Sequence, residues 1–172
     1  MHFPAHAFRP GFPSGERLRR QASQLDALQF LMVNRQLEND LTPTGWPVRK
    51  GWISSRYGQR SDPFTGKQAN HQGLDFVGTR GTEVLSVASG VVIRAAKQGA
   101  YGNTVEIDHG NGYRTRYAHN DALVVEPGEH VTAGQVIAKL GSTGRASAPH
   151  VHFEVLKNGA PINPASFVSN LR

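Results

Sequence analysis

Two short segments carry the residue types of a hydrolytic metal centre. His71 and Asp75 lie in Asn70-His71-Gln72-Gly73-Leu74-Asp75-Phe76, and His150 and His152 lie in Pro149-His150-Val151-His152-Phe153-Glu154-Val155. Zinc in hydrolases takes three protein ligands from His and carboxylate and leaves a fourth position to water, whose pKa then falls to about 7. The chain contains no cysteine, which excludes a closed thiolate site. The helical His-Glu-x-x-His motif is absent too, which sets aside that class of metalloprotease. Taken singly, each motif also fits partly buried structural histidines. Their joint occurrence with Tyr117-Ala118-His119, a third inward-pointing histidine candidate in a strand-like stretch, points to metal.

Spacing dictates how each pair could work. From Pro149 to Val155 apolar and polar residues alternate, so a strand puts His150, His152 and Glu154 on one face and Val151, Phe153 and Val155 on the other. His71 and Asp75 cannot share a straight strand. Four residues at a rise of roughly 3.3 Å separate their Cα atoms by about 13 Å, too far for one ion with bonds of roughly 2 Å. The segment must therefore bend, and Gly73 permits the bend.

The chain resembles the lysostaphin-type (LytM-like) zinc metalloendopeptidases of bacterial peptidoglycan over roughly residues 46–167. The resemblance rests on an ordered series: Tyr57-Gly58-Gln59-Arg60 with Asp62-Pro63, the His71-x3-Asp75 segment, Gly102-Asn103-Thr104-Val105, His109-Gly110-Asn111-Gly112, Tyr117-Ala118-His119, Gly134-Gln135, Gly141-Ser142-Thr143-Gly144 and His150-Val151-His152. It implies that His71, Asp75 and His152 hold Zn2+ and that His119 and His150 are catalytic. It further implies a zinc-activated water that hydrolyses peptide cross-links of the cell wall. Tyr117 shares strand parity with His119, which makes it a candidate for oxyanion stabilisation or for packing beside the cleft.

Within that family some proteins cut glycine bridges and others D-alanyl–diaminopimelate bonds. The absence of a separate wall-targeting domain and the helical lead-in resemble the second group, so D-alanyl–diaminopimelate bonds in peptidoglycan peptide stems are the expected substrate. The alternative is a non-catalytic member that binds murein and activates another wall hydrolase. Against that alternative, the chain keeps every expected ligand and both catalytic histidines. Lipoyl or biotinyl carriers and sugar-phosphotransfer proteins have related sandwich folds, but neither accounts for His71, Asp75 and His152 occurring together.

The other histidines carry less. His109 precedes Asn111-Gly112, a pair suited to a two-residue hairpin turn, and so reads as structural. His130 follows Pro127-Gly128-Glu129 in another turn, and His2 and His6 lie in a Pro/Gly-rich start.

These groups need a framework to hold them. The chain has 172 residues, 38% of them hydrophobic, which suits one globular domain plus an extension. No apolar run is long enough for a membrane span. A formal charge of +6 favours anionic partners. The basic residues are scattered, without the aromatic interleaving or recognition helix of a nucleic-acid binder. Residues 1–15 read as a flexible leader broken by Pro4, Pro10, Gly11 and Pro13. Over 16–39, Leu18, Ala22, Leu25, Leu28, Met32 and Leu37 recur at steps that predict a helix, and Pro43, Gly45 and Pro47 end it. That helix either packs on the domain or belongs to an upstream coiled or regulatory element.

From residue 46 to 172 the pattern is short apolar stretches punctuated by glycine, which predicts a mainly β, antiparallel β-sandwich or barrel-sandwich hybrid domain with the helix as an N-terminal extension. Within it Val87-x-x-Gly90-x-Val92-Ile93 recurs as Val131-x-x-Gly134-x-Val136-Ile137, a sign of a duplicated hairpin motif. No secretion signal opens the chain. Because murein lies outside the cytoplasmic membrane, the family likeness leads to an expectation of an exported, periplasmic or cell-envelope protein whose export signal and any regulatory domain precede residue 1.

Overall fold

A computed structural model describes residues 15–62 and 65–168; the leader expected at 1–15 lies, except for Gly15, outside the described residues. The chain divides into two compact units, 1–38 and 39–172. The first consists, in its described part, of most of helix α1 (Gly15–Leu41), which begins and ends within two residues of the helix expected from the apolar period. Its Leu18, Leu25, Leu28 and Met32 side chains are exposed.

The second unit is antiparallel β. Its strands are β1 (Trp52–Ser55), β2 (Gly58–Ser61), β3 (Gln68–His71), β4 (Leu74–Val77), β5 (Glu83–Leu85), β6 (Gly90–Gln98) and β7 (Gly102–Gly110). There follow β8 (Tyr113–Asn120), β9 (Ala122–Leu123), β10 (His130–Val131), β11 (Val136–Lys139), β12 (His150–Lys157), β13 (Ala160–Ile162) and the short helix α2 (Ala165–Val168). A large sheet runs in the order β1-β4-β12-β8-β7-β6-β10, with β13 also paired to β12; β5-β11-β9 and β2-β3 form two smaller sheets. Between the large sheet and β5-β11-β9 lies a continuous apolar core that includes Phe76, Val84, Val105, Tyr117, Ile137 and Phe153. This is the mainly antiparallel sandwich with an N-terminal helix that the sequence pattern predicts.

The alternation read from β12 holds in space. Val151, Phe153 and Val155 are fully buried, and each such side chain stabilises the fold by about 1.5–3 kcal/mol. Because β12 is flanked by β4 and β8, its opposite face lies between the strands that carry Asp75 and His119. Between β7 and β8, Asn111 (φ 49°) and Gly112 (φ 75°) take the left-handed conformation of a two-residue hairpin turn. The two repeat segments pair with each other: His130 and Val131 face Val91 and Gly90, and Ser86 exchanges backbone hydrogen bonds with Gly134 and Gln135.

Candidate metal centre and groove

His71 closes β3, and Asp75 sits in β4. Between them the chain leaves the β2-β3 ribbon and enters the large sheet, which supplies the bend the spacing demands. Gly73 is required by close approach, because a Cβ there would run into the Phe153 carbonyl and the His152 ring. In the large sheet His152 is directly opposite Asp75 and His150 opposite Val77. Directly opposed residues share a face, so both histidines stand on the Asp75 side.

Three side chains converge. His71 Nε2 is 3.1 Å from Asp75 Oδ1 and 3.1 Å from His152 Nδ1, and His152 Nδ1 is 2.8 Å from Asp75 Oδ1. All three residues are buried. The outward nitrogens are committed elsewhere: His71 Nδ1 lies 2.8 Å from the Arg56 carbonyl and His152 Nε2 lies 2.9 Å from Glu154 Oε1. With an N–H donated at each of those contacts, the inward nitrogens present lone pairs beside a carboxylate. Such a cluster of acceptors calls for a cation, and two imidazoles plus one carboxylate are the donor set that zinc accepts. A proton on an inward nitrogen would instead be donated to Asp75: burial alone would raise its carboxyl, but such hydrogen bonds from His152 and His71 outweigh it and hold the group well below the usual carboxylate range. A cationic side chain lies beside it, Arg60, with a guanidinium nitrogen 3.4 Å from Asp75 Oδ2.

His119 and His150 adjoin this cluster without belonging to it. Their rings face each other at 4.7 Å, and His119 is 6.0 Å from the His152 ring. Each places Nδ1 2.8 Å from a backbone carbonyl, of Thr143 and Ala148 respectively, which leaves Nε2 for chemistry, that of His150 lying 3.8 Å from Asp75 Oδ1. His119 reaches the groove through strained backbone. Ala118 pairs with His152 and Tyr117 with Phe153, so regular alternation would send residue 119 into the core; a φ of 64° at His119 turns it back. Burial chiefly pushes the His119 imidazole down to about 4, against the Thr143 carbonyl and with the help of the neighbouring histidines. It is therefore neutral at pH 7.

That break in alternation corrects the expectation for Tyr117, which neither stabilises an oxyanion nor packs beside the cleft. Its ring lies fully buried in the core, where burial pushes the phenol up to about 12 and the hydroxyl accepts the Val87 N–H at 3.0 Å. His109 is structural, as the turn beside it suggests: its ring nitrogens lie 2.8 Å from the Ser89 carbonyl and 2.7 Å from Thr115 Oγ1. His130 is exposed on β10, while His2 and His6 lie outside the described residues.

Sequence reasoning assigned no role to Glu154, although the His-x-His-x-Glu alternation places it on the ligand face. It is fully buried. Besides His152, it takes the Tyr101 hydroxyl at 2.8 Å on Oε1 and Arg116 at 2.6 Å on Oε2. Arg116 also bonds Glu106 at 2.9 Å and lies over the Tyr101 ring. Burial would raise the Glu154 carboxyl, but His152, Arg116 and Tyr101 bring it down, so it stays ionised.

Around these groups lies an open cavity of 480 Å3, lined also by Ser55, Asn70, Tyr101 and the Asp62–Arg145 pair, whose charged atoms meet at 2.9 Å. Residues 69–164 match the model of peptidase family M23. The chain belongs to peptidase family M23. It is 43% identical over 114 residues to the DD-carboxypeptidase/endopeptidase Mpg of Neisseria meningitidis serogroup B, a stretch that is 66% of this chain and 26% of Mpg. Among solved structures it is similar to a zinc-containing peptidase from Vibrio cholerae, with 38% identity and a TM-score of 0.62 over 72% of this chain and 38% of that one. It is also similar to the catalytic domain of lysostaphin from Staphylococcus simulans, with 28% identity and a TM-score of 0.64 over 79% of this chain and 97% of that domain. The chain spans about a quarter of the length of the curated relatives it matches.

As an M23 protein it has the family's peptidase fold and relatives that act on peptidoglycan. No described helix is long and apolar enough to cross a membrane.

Proposed function

We propose that this M23 domain is a zinc-dependent endopeptidase that hydrolyses D-alanyl–diaminopimelate cross-links of bacterial peptidoglycan, with His71, Asp75 and His152 as metal ligands. The observation that carries the reading is the convergence of the Asp75 carboxylate with two inward imidazole nitrogens whose outer nitrogens are already engaged, beside two histidines held at Nδ1 by backbone carbonyls, with His150 Nε2 3.8 Å from Asp75 Oδ1. Zinc held there would act as a Lewis acid on the scissile carbonyl and lower the pKa of water.

The chain's own residues do the rest. His119, kept neutral by burial and fixed in one tautomer by the Thr143 carbonyl, accepts the proton of the attacking water. His150, fixed by Ala148, stands beside it to exchange a proton with the leaving amine. Asp75 supplies negative charge, and Glu154 holds the His152 ring and tautomer. The likeness to relatives named for DD-endopeptidase activity supports the D-alanyl bond. An exported, cell-envelope location follows from that substrate.

The test is mass spectrometry of purified murein digested by the zinc-loaded protein, run beside a pentaglycine substrate. The expected result is cleavage of the D-alanyl–diaminopimelate bond alone. Cleavage of pentaglycine alone would overturn the substrate, and absence of cleavage in both would favour a role as activator of another hydrolase. Elemental analysis of His71→Ala and Asp75→Ala is expected to give zinc well below one equivalent, and full occupancy in either removes that ligand.

A further inference from the structure

Next to the groove lies a second cavity, of 530 Å3, at the open edge of the large sheet. Its wall is Trp52, on edge strand β1, with 63% of its surface exposed. Lys50, Arg49, Thr79 and Thr82 line it too, Arg49 also facing Glu83 at 3.7 Å. Trp52 pairs directly with Val77, and Val77 pairs directly with His150. The three therefore form one row on one face of the sheet, and at a strand spacing of about 4.8 Å Trp52 stands roughly 10 Å from His150. Val77 lines both cavities.

We propose that this shelf is a saccharide subsite, in which the indole of Trp52 takes the apolar C–H face of an N-acetylhexosamine ring of the glycan strand. The inference rests on the peptidoglycan reading above and deepens it. An exposed indole offers a large, rigid apolar plate with a polar edge, and a pyranose ring offers a matching apolar face with a polar rim. Thr79, Thr82 and Lys50 line the same cavity and carry the hydroxyl and ammonium donors that ring hydroxyls and an acetamido oxygen accept from. Length agrees as well. A stem of three or four residues, extended, spans at most about 10–14 Å, which carries a peptide joined to a sugar on Trp52 as far as His150. The protein would then read the sugar and the peptide of one substrate together, and prefer stems still attached to glycan.

The experiment uses the two tryptophans as separate reporters. Trp46 is tucked behind Phe76 with its indole N–H donated to the Val168 carbonyl, so only Trp52 is placed to meet a ligand. Nitrogen-15-labelled, zinc-loaded full-length protein is titrated with the N-acetylglucosaminyl–N-acetylmuramic acid disaccharide free of peptide, and the two indole resonances are assigned with Trp52→Phe. The expected result is a saturable shift of the Trp52 resonance with Trp46 unmoved. No shift of Trp52 at millimolar disaccharide overturns the subsite.

In kinetics, Trp52→Ala is expected to raise KM about tenfold on a cross-linked muropeptide that keeps its sugars. On the same peptide freed of sugar it should change neither KM nor kcat, and Trp52→Phe should recover part of the loss. An equal loss on both substrates would make Trp52 part of the peptide groove and overturn the proposal. If the wild-type protein cuts neither substrate but Trp52 still responds to the disaccharide, the endopeptidase reading fails and the subsite stands.

Discussion

Replacing Glu154 with Gln probes the part of the site that touches neither metal nor substrate. The change keeps shape and volume but removes a charge from a fully buried position and turns one oxygen into a donor. Gln can keep its oxygen on the His152 and Tyr101 side, where the contacts are 2.9 and 2.8 Å. Its amide nitrogen must then face Arg116, donor against donor, at a site now 2.6 Å apart. Losing a hydrogen bond between charged groups costs about 1.5–3 kcal/mol, and breaking a buried pair outright about 3–5 kcal/mol. Arg116 keeps Glu106, so the lower range applies.

The second consequence falls on the metal. His152 loses a charged acceptor for its Nε2–H, so its inward nitrogen becomes a weaker donor, and changes of this kind cost about 10–100-fold in metal affinity. The expected outcome for Glu154→Gln is thus a free energy of unfolding lowered by about 1.5–3 kcal/mol without zinc, and a zinc dissociation constant raised about 10–100-fold. Chelator competition at fixed pH measures the second quantity. Tyr101→Phe, which removes only one of the three partners, should give a smaller shift in the same direction. A zinc affinity in Glu154→Gln equal to that of the wild type would refute the positioning role and leave Glu154 as a packing element alone.

Three further outcomes are expected. His119→Ala and His150→Ala should retain zinc while losing about 10²- to 10⁴-fold in turnover on murein, and wild-type rates in both would remove these residues from the mechanism. Burial pushes the His109 imidazole below its ordinary 6.5, against the Ser89 carbonyl and Asp108, so the unfolded chain binds the proton that the folded chain refuses. Its stabilising contribution is full above pH 6.5 and erodes as pH falls below that value, with a slope of at most about 1.4 kcal/mol per pH unit; His109→Gln should flatten that part of the urea-denaturation profile, and an unchanged profile would contradict the argument. A chain of residues 39–172 should fold alone, since the backbone at 44 and 45 is tied to Val87 and Phe167 and Trp46 packs on Phe76; a disordered circular-dichroism spectrum would place α1 in the folding unit.

Much of this protein was legible in the order of its residues because the relevant rules are local. The alternation in Pro149 to Val155 determined that Val151, Phe153 and Val155 face the core while His150, His152 and Glu154 face the other way, and the structure keeps that division. The four-residue gap between His71 and Asp75 demanded a bend, and the apolar period over 16–39 marked α1 to within two residues at each end.

What tertiary structure alone decided is where alternation stops and which distant groups meet. Parity put Tyr117 and His119 on one face, but the turn to positive φ at His119 sends them to opposite sides, a choice made by the Thr143 carbonyl that receives its ring and by the core that receives Tyr117. The union of Glu154 with Arg116, Glu106 and Tyr101 joins β12, β8, β7 and the turn between β6 and β7. The row from Trp52 through Val77 to His150 exists only because β1, β4 and β12 lie side by side in this register. A sequence states the face that each side chain prefers within its own strand; the neighbours across that face are set by sheet order and register, which depend on the packing of the whole core.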